Sequence, residues 1–293
     1  MPDLIGIAAG PAESVPIAAR AGFEGIDMRI NRFADEIERL NPEALAEAFD
    51  AAGLKPGYCS IGPMKMDVTA EQWEADLCEV PRRARIARQL GYSRATSVVV
   101  PGSDSLAFDE NFAEHVRRIE AIASIIGDFG MVFGLEYVSP LTRRAPMKHQ
   151  FVYDLRGMLQ LLDAVAASNV GVMLDSFHWH CADESAADLR ALRPEQVVSV
   201  HVCDLIAGVP VEQQVVTQRE LPGLSGIIDM TTFLRSLAEI GYDGPICAEP
   251  THPRWQTTET SEAARMTARS ILECMEHAGV GSAGNSTQHS EKE

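Results

Sequence analysis

The chain has 293 residues, 46% of them hydrophobic and 23% charged, a globular balance with ample length for one large core. A formal net charge of −17 argues against a nucleic-acid or anionic-membrane partner, because gripping phosphate takes Lys and Arg on the contact face. The six cysteines include no C-x-x-C pair, which argues against a disulfide framework or a structural zinc site and for a reducing cytoplasm.

The opening MPDLIGIAAG lacks the basic start of a signal peptide, and no run approaches the ~20 apolar residues of a membrane span. Short apolar runs of strand length then alternate with amphipathic stretches. Leu4–Gly10 predicts a first strand, Pro11–Ala21 its helix and Ile26–Ile30 a second strand. Pro42–Ala52 has helical spacing, with Leu45, Ala48 and Phe49 on one face, and Gly53 ends it. Leu54–Ile61 is the third strand, and Gln72–Leu90 a long helix that Pro81 should kink or break. Ala95–Val100 and Met131–Val138 are strands four and five, separated by a helix over Asn111–Phe129. A helix over Tyr153–Ala167 leads to the sixth strand, Val170–Leu174, and Val197–Leu205 is the seventh. Asp229 is placed to cap a helix that runs to Ile240; Ile246–Glu249 is the eighth strand and Thr258–Ala278 a closing helix.

Eight strands each followed by a helix, with no linker between halves, predict an α/β chain folded as a single (β/α)8 TIM barrel over residues 1–279. The turn after the first strand, Ala9–Glu13, lacks the glycine spacing of a dinucleotide-binding open sheet. The small polar stretch 280–293 reads as a disordered tail.

Four late strands end on residues able to bind a metal. GLEYVSP (134–140) carries Glu136, VGVMLDSFHWH (170–180) carries Asp175, VVSVHVCDL (197–205) carries His201 and ICAEP (246–250) carries Glu249. Strand side chains alternate between faces. Setting Val198, Val200 and Val202 against outer helices turns Ser199, His201 and Cys203 inward; setting Val172 and Leu174 outward turns Met173 and Asp175 inward. Three carboxylates in one dry site need a compensating charge, and a divalent cation supplies it. One nitrogen among oxygens suits Mn²⁺, Co²⁺, Mg²⁺ or Fe²⁺, with zinc admissible. The plainer reading of each is structural: Asp175 capping the next loop, a strand carboxylate paired with Arg.

GLEYVSP, VMLDSFHWH, HVCD, RELPG followed by GIIDM, and GYDGPICAEP together resemble the xylose isomerase-like barrel superfamily, which includes sugar isomerases and epimerases, inosose dehydratases and endonuclease IV. The resemblance spans nearly the whole chain to about Gly279. In the ketose 3-epimerase branch it implies metal ligands at Glu136, Asp175, His201 and Glu249, with Glu136 and Glu249 also moving the proton. It implies substrate-oxygen contacts from His178 and Arg219. The segment LPGLSG departs from the pattern, since an acidic residue often stands at Leu224 or Ser225.

The activity this implies is isomerisation or epimerisation of a small-molecule ketose or related polyol, in which a carboxylate removes the α proton and a metal stabilises the enediolate. A lyase or dehydratase on a keto-sugar or inosose shares that first step and adds acid help from a group such as His178. A non-catalytic sugar-binding barrel is the third alternative. A phosphodiesterase of endonuclease IV type would need more His and Asp ligands and a basic groove. Trp179 and His180 either line the pocket or pack a loop, and Trp255 either walls the pocket or meets another subunit. Arg143–His149 either binds an anionic or polyhydroxyl substrate or is a solvated loop that supports a homo-oligomer.

Overall fold

A computed structural model of the chain describes residues 9–62 and 68–281. Its strands are β1 (Gly25–Met28), β2 (Lys55–Cys59), β3 (Arg94–Val99), β4 (Gly102–Ser103), β5 (Val132–Tyr137), β6 (His149–Gln150), β7 (Val170–Asp175), β8 (Val197–Val202) and β9 (Ile246–Ala248). Seven of them form a parallel sheet in the order β1-β2-β3-β5-β7-β8-β9, while β4 and β6 pair in a separate antiparallel ribbon. Neighbours in the sheet follow one another along the chain with helices between them, the βα alternation that builds a TIM barrel. The expected first strand, Leu4–Gly10, lies outside the described residues except for its last two, and so does the expected tail from residue 282 onward. No helix among the described residues is long and apolar enough to cross a membrane.

Local sequence explains most boundaries. Pro11–Ala21 is helical as predicted, and Gly22 closes it with φ of 91°, a left-handed turn that a side chain would resist. The long helix expected over Gln72–Leu90 breaks into Ala70–Cys78 and Val80–Gln89. Pro81 sits in the first turn of the second piece, where its missing N–H costs no helical hydrogen bond. Asp229 caps its helix by accepting from Thr232 N–H at 2.9 Å. The sequence reading missed the helix Ile30–Leu40, whose charged surface hides an apolar stripe of Ile30, Ala34 and Ile37 at helical spacing.

The main core lies between sheet and helices and takes in Val172, Leu174, Val200 and Val202, as the strand phase predicted. Met173 faces the other way and packs with Tyr58 and Cys247 in a small buried cluster inside the barrel. Val198 corrects the predicted phase. The β7–β8 register slips, pairing Val172 with Val197 but Met173 with Ser199, so Val198 is the extra residue of a bulge. It does not point to the outer helices. A Cβ on Gly134 would lie 2.8 Å from Val198 Cβ, and one on Gly171 2.9 Å from its Cγ2. Gly134 shares a face with Glu136, and Gly171 with Asp175. The two glycines leave the room that Val198 fills in the barrel floor.

Candidate active site

Strand register brings the four predicted residues together. Asp175 pairs with His201 across β7 and β8, and His201 pairs with Cys247, two residues before Glu249. With Glu136 on β5, all four project at the C-terminal end of the strands, where barrel sites form. One ligating atom from each lies within 4.8 Å of the others. His201 Nδ1 stands 3.2 Å from Glu249 Oε2, 3.6 Å from Glu136 Oε1 and 3.8 Å from Asp175 Oδ2. Both His201 Nδ1 and Glu136 Oε1 are buried without a hydrogen-bond partner. Buried polar atoms are rarely left so, and an orphaned nitrogen and oxygen facing each other among carboxylates make a group that could hold a cation.

The protein also supplies part of the compensating charge, which the sequence reading had not foreseen. Arg219 Nη1 donates to Asp175 Oδ2 at 2.8 Å and to Glu249 Oε2, and its guanidinium lies 4.5 Å above the Phe177 ring. Asp175 fills the capping role weighed for it and also faces the cluster. Its Oδ1 accepts from Phe177 N–H at 2.6 Å and caps the short helix Ser176–Cys181, while its Oδ2 faces the cluster. Burial pushes the Glu136 carboxyl above its ordinary range, with Glu249 adding to the shift. Burial acts on Glu249 in the same sense, but Arg219 and His201 overcome it and hold Glu249 below that range. Burial disfavours a charged His201, yet Glu249 and Glu136 outweigh it and raise its pKa.

His178 stands at the edge of this cluster. Ser139 N–H points at its Nδ1 at 3.2 Å. Burial lowers the His178 pKa to about 4, and the ring is neutral at physiological pH. Nε2 lies 3.2 Å from Arg219 Nη2. Both ring nitrogens thus face an N–H donor, and a neutral imidazole can accept from only one of them. Arg144 secures this corner by donating to Ser139 O at 3.2 Å while its guanidinium covers Tyr153.

Three residues that the sequence reading left without a role hold the site in shape. Asp204 is fully buried and accepts four backbone N–H groups, from Leu205, Ser225, Gly226 and Ile228. It ties down the LPGLSG loop, and a two-residue bridge between Asp204 and Glu220 fixes the chain beside Arg219. Ser139 N–H meets His178 Nδ1, and Tyr58 contacts His201 from β2. The HVCD motif contains Asp204, but nothing local marks a carboxylate that organises a loop twenty residues on.

Other candidates resolve plainly. Trp179 packs on Phe233 and donates to Ser185 O, the loop-packing role. Trp255 is buried with Leu221 and Ala263. Cys203 and Cys247 are buried thiols. Within Arg143–His149, Arg144 is engaged with Ser139 and Tyr153, and Lys148 N–H donates to Asp104.

Comparison with known proteins gives the same fold. A family model described as xylose isomerase-like TIM barrel matches residues 15–271. An inosose isomerase of Bacillus velezensis is 20% identical over 264 residues, covering 89% of this chain and 91% of its own. A putative hydroxypyruvate isomerase of Mus musculus is 26% identical over 262 residues, covering 85% and 87%. Among solved structures, a xylose isomerase domain protein from Alicyclobacillus acidocaldarius superposes with a TM-score of 0.84 at 29% identity over 94% of this chain and 96% of that one. The IolI protein, solved with a binding zinc atom, superposes with a TM-score of 0.78 at 18% identity over 92% and 94%.

Proposed function

The chain belongs to the xylose isomerase-like TIM barrel family, and from that premise we propose that it is a divalent-metal-dependent isomerase or epimerase of a ketose or related polyol. The observation that carries this reading is the pair of orphaned buried atoms, His201 Nδ1 and Glu136 Oε1, inside a quartet completed by Asp175 and Glu249. One nitrogen and three carboxylates fit Mn²⁺, Co²⁺, Mg²⁺ or Fe²⁺, and zinc is also admissible. A divalent ion held there would supply Lewis-acid polarisation of a substrate carbonyl and make its α proton acidic.

The chain's own residues divide the remaining work. Glu136 on β5 and Glu249 after β9 flank Asp175 and His201, so they approach a bound substrate from two sides. One carboxylate removes the α proton, and the other returns a proton to the opposite face or the adjacent carbon. His178 and Arg219 orient the substrate oxygens, and Arg219 also balances the charge of Asp175 and Glu249. Val98, whose strand partner is Glu136, is 42% exposed although it lies on a barrel strand, which marks the open side of the site. The lyase alternative needs an acid for the leaving hydroxyl, and a His178 imidazolium of pKa about 4 is scarcely populated at physiological pH.

The test is deuterium exchange. Ketoses and keto-inositols are incubated in heavy water with metal-loaded protein, and the α position is followed by NMR. The expected result is exchange with recovery of an isomer. Exchange with loss of water would favour the lyase, and no exchange across the panel would refute both.

A further inference from the structure

The far side of His201 is held by a residue from across the barrel. Tyr58 lies on β2, with three strands between it and β8 in the sheet, and is completely buried against Met173 and Cys247. Its backbone N–H is anchored on Asp27 Oδ1 at 3.0 Å. Its ring centroid is 5.4 Å from that of His201, with the planes at 56°, and its hydroxyl reaches His201 Nε2 at 2.5 Å. The other ring nitrogen, Nδ1, has no hydrogen bond and faces the three carboxylates.

A neutral imidazole has one N–H and one lone pair. To offer a lone pair to a cation through Nδ1, it must keep its proton on Nε2, and the group that accepts from Nε2 decides whether it does. We infer that Tyr58 is a positioning residue that accepts the Nε2–H of His201 and keeps the Nδ1 lone pair aimed into the carboxylate cluster. This rests on the cation-site reading above. The choice of residue follows from charge. A carboxylate is a common partner for a ligating histidine, but here it would add a fourth negative charge to a dry site that already holds three. A phenol accepts the same hydrogen bond while remaining neutral. Its contact also opposes a ring flip, since a flip would replace Nε2 with a carbon and leave the hydroxyl facing no partner.

Tyr58→Phe tests this, because it keeps the ring in the cluster and removes only the acceptor. Met173→Leu repacks the same cluster without touching a polar atom and serves as control. Two quantities are read: zinc affinity by competition with a chromophoric chelator, and the His201 Nε2–H resonance by nitrogen–proton NMR, in metal-free and zinc-loaded protein. Wild type and Met173→Leu should bind zinc alike and show an exchange-protected proton on Nε2. Tyr58→Phe should bind about 10–100-fold more weakly and lose that protection. A Tyr58→Phe protein that binds zinc as wild type does and keeps the Nε2 proton protected overturns the inference. If Tyr58→Phe does not fold, the wild-type spectrum decides alone, since a ring with no proton on Nε2 is incompatible with the role. If wild-type protein takes up no zinc, the cation-site reading falls, while the metal-free spectrum still judges Tyr58 separately.

Discussion

Replacing Arg219 by methionine probes the charge balance of the site most directly. Arg219 is 4% exposed, and its guanidinium donates to Asp175 and Glu249 and covers Phe177. Methionine keeps similar length and removes the charge. In chelator-treated protein this leaves buried carboxylates without their permanent partner, and breaking such a network from one side costs about 3–5 kcal/mol. A 293-residue chain unfolding with about 2.1 cal/mol/K per residue has an unfolding entropy of about 0.6 kcal/mol/K, so Tm should fall by about 5–8 °C. A divalent ion restores positive charge at the same place. Saturating Mn²⁺ or Co²⁺ should therefore raise the Tm of Arg219→Met by more than it raises that of wild type. Thermal melts of both proteins, with chelator and then with metal, measure both effects. If Arg219→Met melts within about 1 °C of wild type under chelation, the guanidinium does not compensate the cluster. If the metal raises both proteins equally, ion and guanidinium do not share the same charge balance.

Glu136→Gln and Glu249→Gln each exchange an anionic oxygen for a neutral one. Divalent affinity in a calorimetric titration should drop by about tenfold or more, roughly 1.4 kcal/mol per decade. At saturating metal, α-proton exchange should fall further still, because an amide cannot accept the proton. His178→Ala should retain the metal and raise KM. With the His178 pKa held near 4, wild-type KM should show no inflection near the ordinary value of ~6.5, and one that disappears in His178→Ala would contradict its neutral state. His115, away from the site, bonds Asn111 O through Nδ1 and stacks on Phe151, and burial lowers its pKa to about 4. The unfolded chain takes up that proton first, so stability is full above ~6.5 and declines as pH falls toward 4, with about 2 kcal/mol lost at pH 5. His115→Phe keeps the stack and should show a smaller loss between pH 7 and 5 in denaturant melts.

What the sequence made legible depended on how local the cause was. The barrel and the four strand-end residues follow from apolar runs and two-residue alternation, which are properties of single strands. The break at Pro81 follows from one missing N–H. Val198 escaped because a bulge belongs to a strand pair: only the slip between β7 and β8 turns it inward, and only Gly134 and Gly171 on two other strands give it space. Tyr58 escaped because its meaning depends on which side chain it meets across the barrel, 143 residues along the chain. The helix Ile30–Leu40 escaped for a different reason, since its three buried positions are interspersed with charges that mask the helical stripe.

Charge is where local and tertiary reasoning meet. Three carboxylates gathered by alternation demand positive charge, a conclusion that holds whatever supplies it. The structure divides that supply. Arg219, reached only through a loop that Asp204 ties down, contributes one unit beside Asp175 and Glu249 and leaves two negative charges with His201 neutral. A single divalent ion cancels that remainder, whereas a monovalent ion falls short of it. The arginine first expected only to touch substrate thereby narrows the ion the site would hold. It also explains how the metal-free chain could tolerate the cluster, with Arg219 fixed and His201 free to hold a proton between its carboxylate neighbours.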